Sequence, residues 1–380
     1  VNSMTCTLAA AITCLRRIAP LELAESWDRV GLLVEGDGRA IARVLLAIDV
    51  TPAVLEEAQS IRADLIVGYH PLLFKPLERL DGATWQGRVA LNAVRAGIAI
   101  YSPHTALDAV EGGINDWLVE IMDDGRATEV AALQPSNRFG GNTHRIVAFV
   151  PESAVDEVRT ALAEADAGRI GAYSHCSFTT RGEGTFFGHS GTQPTVGRAG
   201  HLERVQEIRL EMAFHKRNLR AVVAALHAAH PYEEPAFDLL ALDPIPAAPR
   251  VGAGRIASFE TPATVEDIAR KLEQQLACGR IERTRGSVGP SPASRHRKFA
   301  VCAGSGASLL DVAAAQGASL FLTGEMSHHD VLRAHALGLE ILLAGHTNTE
   351  RGYLPRLATA MESSGLSVLI STADRDPLVR

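Results

Sequence analysis

Histidine, aspartate and glutamate recur in this chain where the loops of an α/β fold would meet. After the apolar run 44–48 comes Asp49, and after 64–67 come Tyr69 and His70. The run 97–101 leads to His104, with Asp108 four residues on. Later, 319–322 leads to Glu325, and 340–344 leads to His346 with Glu350 four residues on. In an open parallel sheet, ligands bind beyond the carboxyl ends of the strands, because side chains from several loops converge there. Imidazole and carboxylate without thiolate suit a first-row divalent ion such as Zn, Mn, Fe, Co or Ni, and more than three such groups can hold two ions. Taken singly, each residue has a simpler reading. His70 before Pro71 is a turn residue, His104 a loop imidazole bonded to Asp108, and Asp49 a cap for the helix that follows. His346 and Glu350 suit the first turn of a helix running to Met361. Their shared placement at strand ends favours the metal reading. Of His328 and His329, at most one can face such a site, because adjacent side chains on a helix diverge.

The elements that must position these groups are legible. Short apolar runs alternate with Ala/Leu-rich stretches of helical spacing, 52–61 and 88–96 among them, which predicts a mostly parallel sheet with crossover helices at each end of the chain. The two ends also resemble each other. Ala58, Ala63, Leu65 and His70 match Ala313, Ala318, Leu320 and Glu325 at one constant offset, and 91–97 resembles 332–338. Each copy then runs through an apolar strand into His-Thr and a later carboxylate, a pattern of internal duplication.

Residues 127–249 read differently. A Gly/Asn-rich turn at 139–142, a strand at 145–150, a helix at 152–165, a Gly/Thr/Ser-rich stretch at 179–200, a strand at 206–214 and a helix at 219–229 predict a small inserted α+β domain, closed by the Pro-rich linker 244–249. The expected organisation is therefore a first core half at 1–126, the insertion at 127–249 and a second core half at 250–380. The segment 280–298 carries a cluster of arginines among Gly, Ser and Pro, which reads as a solvated loop.

Composition excludes several classes. The 380 residues are 46% hydrophobic and carry a formal charge of −7, so a generic nucleic-acid-coating surface is unexpected. No apolar run is long enough for a membrane span, and the first residues lack a secretory pattern, so a soluble, cytoplasmic protein is expected. Five scattered cysteines without a C-x-x-C pair argue against a disulfide framework or a thiolate zinc site.

Several runs together resemble one family. They are 25–33, which contains Trp27-Asp28-Arg29-Val30-Gly31; 63–74, which contains Tyr69-His70-Pro71; and His104-Thr105-Ala106-Leu107-Asp108. Thr323-Gly324-Glu325-Met326-Ser327-His328-His329 and Gly345-His346-Thr347-Asn348-Thr349-Glu350 complete the set. In this order they are similar to the Nif-three-like family, whose members also go by GTP cyclohydrolase I type 2 homologues or dinuclear metal centre proteins. The middle segment, ending in His230-Pro231-Tyr232-Glu233-Glu234-Pro235, looks like the PII/CutA-like insertion of the longer members. The resemblance implies a two-metal site in an α/β core, facing the internal cavity of a toroidal homohexamer. Its ligands fall on His70, Asp108, His346 and Glu350, with Glu350 bridging. Where the family usually has a second histidine before the proline, this chain has Tyr69, and phenol is a poor ligand unless deprotonated. One ion on His70, Asp108 and Glu350 is expected, and a weaker or absent second one on His346, Glu350 and Tyr69. A metal-dependent hydrolase or cyclohydrolase acting on a small polar or nucleotide-like substrate follows, with Asp49, Glu325 or His104 as proton carriers. The alternative is a non-enzymatic metal-binding regulatory assembly that contacts a partner through the insertion.

Overall fold

The computed structural model describes residues 5–76, 79–136, 142–170, 173–242, 250–276, 278–284, 295–363 and 365–378. It divides into two compact units, one made of 1–136 with 248–380 and the other of 137–247. In chain order the strands of the first stretch are β1 (Gly31–Val34), β2 (Arg43–Ala47), β3 (Leu65–Gly68), β4 (Ala99–Ser102) and β5 (Thr128–Pro135). The second unit holds β6 (His144–Pro151), β7 (Phe178–Phe187), β8 (Leu202–Phe214) and β9 (Phe237–Ala241). The chain then returns through β10 (Gly252–Ala263), β11 (Glu282–Arg283), β12 (His296–Ser305), β13 (Leu320–Glu325), β14 (Glu340–Leu343) and β15 (Ser367–Ile370).

The first unit contains two sheets, ordered β1-β4-β3-β2-β15 and β11-β14-β13-β12-β10-β5. The duplication is visible in their pairing. β2, β3 and β4 run parallel in the first sheet as β12, β13 and β14 do in the second, and each trio ends on a short antiparallel edge strand, β1 or β11. Registers coincide too: Val44 faces Leu65 as Phe299 faces Leu320, and Leu65 faces Ala99 as Leu320 faces Glu340. These inner strands are buried on both faces, which is why they read as continuous apolar runs.

Beyond the repeated strands the halves differ. β15, from the end of the chain, adds parallel to β2 and so completes the first sheet. The second sheet is mixed rather than mostly parallel, because β10 and β5 join it antiparallel. β5 also moves a boundary: the composition changes near Ala127, yet 128–135 pairs along β10 and belongs to the core. The Ser136 amide donates to the Val251 carbonyl, so the chain leaves the core and returns at adjacent strand ends. A long insertion there leaves the sheet's hydrogen bonding intact. One buried cluster takes side chains from both sheets, among them Leu46, Val67, Val301, Leu322 and Leu342. The helix Ile114–Met122 contributes Trp117 and Leu118 to the same cluster.

The second unit follows the expected β-α-β-β-α-β order, with an antiparallel sheet β7-β8-β6-β9. Helices Val155–Glu164 and Leu219–Ala229 bury Val158, Leu162, Val222 and Leu226 in one cluster with Ile146, Leu210 and Phe214. The Gly/Thr/Ser-rich stretch proves to be strand for much of its length, since β7 pairs with β8 from Phe178 to Phe187. Both the turn at 139–141 and the linker at 244–249 lie outside the described residues, as do 285–294 of the arginine-rich segment. No helix among the described residues is long and apolar enough to cross a membrane.

Candidate metal centre

The carboxyl ends of both sheets open onto one cavity of about 750 Å³ lined by Asp49, Tyr69, His70, His104, Asp108 and, from the second half, His346 and Glu350. The strand-end rule therefore placed these residues together. Glu350 lines the cavity from the short helix Asn348–Arg351 and is 1% exposed. His346 Nε2 stands 3.3 Å from Glu350 Oε1, and His70 Nε2 stands 3.5 Å from Oε2. Glu350 Oε2 is buried without a hydrogen-bond partner, a costly condition for a carboxylate oxygen unless something else satisfies it. Among the described residues, one set of three His, Cys, Asp or Glu side chains has its ligating atoms within 4.8 Å of one another: His70, His346 and Glu350.

These donors suit a divalent ion. Two ligand atoms on a tetrahedral ion with bonds of about 2.0–2.1 Å lie about 3.3 Å apart, close to the spacings seen here. Each imidazole also has its far nitrogen held by a carboxylate: His70 Nδ1 is 3.0 Å from Asp49 Oδ1, and His346 Nδ1 is 3.0 Å from Glu325 Oε1. A carboxylate on Nδ1 fixes the tautomer and turns the Nε2 lone pair toward the site, as around metal-bound histidine generally. Asp49 and Glu325 thus hold the two imidazoles by their far nitrogens. Asp49 does not cap the following helix, because Thr51 accepts the Val54 amide in that position.

Electrostatics match the geometry. Burial opposes charge on His70, but Asp49 and Glu350 outweigh it and raise its pKa to about 10. Glu350 chiefly raises His346, to about 9. Burial alone would raise Glu350, yet the two imidazoles hold it below the usual carboxylate range. Protons and a divalent ion would therefore compete for the two imidazoles.

Tyr69 and Asp108 form a separate pair. The Tyr69 hydroxyl donates to Asp108 Oδ1 at 2.6 Å, and burial raises the phenol well above its ordinary pKa. Burial also lifts Asp108, to about 6. Both histidines meet Glu350, one at each carboxylate oxygen, while Asp108 faces the phenol.

His104 occupies the cavity wall, its ring 5.4 Å from those of Tyr69 and His70. Its Nδ1 is 2.8 Å from Asp28 Oδ1 rather than from Asp108. Asp28 also accepts from the Thr105 amide and hydroxyl. Burial would raise Asp28, but His104, Thr105 and the Arg29 amide together keep it low. The His104 backbone is at φ 32°, ψ −121°, a strained conformation that the Asp28 contacts hold in place.

Sequence reasoning missed other supporting residues. Asn115 is fully buried, donates to the Asp108 carbonyl and accepts the Ala303 amide, tying the two halves together beside the site. Gly304 has φ +61°, and a Cβ there would lie 2.7 Å from Glu350 Oε1 and 3.1 Å from His346 Nε2. Arg255 is wholly buried, bonded twice to Asp116 and to the carbonyls of Gly252, Gly254 and Val110. Asp28 was the one with a signal, lying inside the Trp27-Asp28-Arg29 run. His328 and His329 are exposed, and neither lines the cavity.

Two sheets of shared topology, meeting at a cavity of histidines and acids, define a duplicated α/β protein with a candidate metal centre. Residues 6–377 match Duf34/NIF3 (NGG1p interacting factor 3), and the chain belongs to that family. It is 35% identical over 340 residues to a GTP cyclohydrolase 1 type 2 homolog of Halalkalibacterium halodurans, covering 90% of this chain and 88% of that one. It is also 32% identical to NIF3-like protein 1 of Bos taurus, covering 98% and 92%. Among solved structures, a Bacillus cereus protein related to NIF3 is similar at 31% identity with a TM-score of 0.63, over 98% of this chain and 99% of that one.

Proposed function

We propose that His70, His346 and Glu350 hold a divalent ion and that the protein is a metal-dependent hydrolase acting on a small polar, ring-bearing substrate of nucleotide-like size. The observation that carries this reading is the convergence of two carboxylate-oriented imidazoles on a buried glutamate with an unsatisfied oxygen. When bound, such an ion (Zn, Mn, Fe or Co) supplies Lewis-acid polarisation and acidifies water.

The remaining chemistry falls to the chain's own side chains. Asp28 holds the proton on His104 Nδ1, which leaves Nε2 to take one from a water or substrate group in the cavity. Asp49 and Glu325 keep the two ligand imidazoles aimed. At the wall, Trp27, Phe74 and Trp85 are 56%, 48% and 42% exposed, and Trp27 lies 5.8 Å from Phe74. Such faces suit stacking against a flat ring. The names borne by the curated relatives are consistent with a nucleotide.

The test is turnover of a nucleotide and phosphoester panel by protein loaded with Zn, Mn, Fe or Co. Activity should depend on the metal and vanish in Glu350→Gln and His70→Ala. Binding of metal without any turnover would overturn the enzyme reading. The second reading, a regulatory assembly that docks a partner, is favoured by Tyr173, Phe178 and Leu202 of the inserted unit, each more than 60% exposed. The family resemblance carries with it a cytoplasmic homohexamer, which light scattering on the full chain would test.

A further inference from the structure

We propose that the centre takes one divalent ion per chain rather than two, because the Tyr69 hydroxyl and Asp108 fill the second position with a hydrogen bond. This rests on the metal reading above and concerns the ligand set alone. The resemblance implies a dinuclear centre, so the residues present can be tested against each ion in turn.

The first ion has its donors. His70, His346 and Glu350 each offer a ligand atom, all within 4.8 Å of one another, and each imidazole is oriented from behind. The second would have to be built on Tyr69, Asp108 and a share of Glu350. Asp108 stands outside the set of donors whose atoms lie within 4.8 Å of one another. Its Oδ1 already accepts the Tyr69 O–H at 2.6 Å. A hydroxyl donating to that carboxylate oxygen turns its proton toward Asp108 and ties up Oδ1, and a neutral phenol oxygen is a weak donor beside imidazole.

The geometry is also difficult to rearrange. The Tyr69 amide donates to the Ala47 carbonyl, and its own carbonyl accepts the Ser102 hydroxyl, so the residue is pinned between β2 and β4. Asp108 is held from the other side, where Asn115 grips its carbonyl. The His104 ring lies edge-on to Tyr69 at 79°. Tyr69 and Asp108 thus form a hydrogen-bonded phenol–carboxylate pair next to a site that needs an ion. A histidine at 69 would offer a lone pair in place of that proton.

The experiment counts metal. Full-length protein is purified without chelator, equilibrated with excess Zn²⁺, passed through a desalting column and analysed for zinc per chain. Wild type and Tyr69→Phe should each retain one equivalent, whereas Tyr69→His should retain two and Tyr69→His with Asp108→Asn should return to one. Melting curves of all four show whether each variant folds. Two equivalents in the wild type, or a folded Tyr69→His that stays at one, overturns the proposal. Zinc bound by no variant, including wild type, overturns the metal reading and this inference with it.

Discussion

Replacing Gly304 with alanine probes the centre without touching a ligand. The added Cβ would lie 2.7 Å from Glu350 Oε1, where ordinary contact begins at 3.4 Å. The carboxylate must therefore retreat by roughly 0.7 Å, well beyond the tolerance of about 0.2 Å on metal–ligand distances. His346 Nε2, at 3.1 Å from the new carbon, would have to give as well. Disturbing the surroundings of a ligand costs about 10–100-fold in metal affinity, so a loss at least that large is expected. The backbone adds a separate cost of about 1–2 kcal/mol in stability, because alanine resists the left-handed conformation. Gly317→Ala separates the two effects: its φ is +83°, but the new Cβ meets nothing within 4 Å. A zinc titration against a chromophoric chelator, paired with melting curves, reads both quantities. Gly317→Ala should melt lower and bind zinc normally, while Gly304→Ala should melt lower and bind weakly. Zinc affinity within twofold of wild type in Gly304→Ala would refute the placement of the ion.

Three further outcomes are expected. Asp49→Asn removes the charged partner of His70 Nδ1 and should weaken zinc binding about 10–100-fold in the same titration, with a smaller loss for Glu325→Gln because Glu325 is half exposed. Asp116→Asn leaves the fully buried Arg255 without its counter-charge and should cost about 3–5 kcal/mol in urea unfolding; a loss under about 1 kcal/mol would mean the pair is dispensable. Glu57 holds the segment after β15 through Ser371, Thr372 and Ala373, and although burial opposes ionisation these hydrogen bonds bring its pKa down to about 2. Since the folded value lies below the unfolded one of about 4.3, the stabilisation is complete above that pH and is lost as pH falls toward 2. Protection of the Thr372 and Ala373 amides, measured relative to intrinsic exchange at each pH, should fall over that window in wild type and be low throughout in Glu57→Gln.

Much of this architecture is legible residue by residue. β2, β3, β4, β12, β13 and β14 were readable because strands buried on both faces must be apolar throughout, and that signal survives without a partner in view. β15 and β5 were not. β15 alternates only weakly and has its partner β2 at the other end of the chain. β5 lies where the composition shifts, so its membership of the core depends on pairing with β10 across the whole insertion. The same limit applies at the site. His70, Asp108, His346 and Glu350 stand out by type and position, and Asp28 by the run it lies in, but Asn115 looks like any polar residue until the fold brings it to Asp108.

By itself, the sequence determined which chemistry was available: imidazole and carboxylate at strand ends, no paired thiolates, and a tyrosine beside His70. Those are properties of residue type and of local strand and helix periodicity, which a chain carries before it folds. The tertiary structure decided which groups meet. Glu350 joins His70 to His346, Tyr69 turns to Asp108, and Asp28 rather than Asp108 holds His104. Those pairings depend on separations of a few ångströms between residues far apart in sequence, and only the packing of the two sheets sets them.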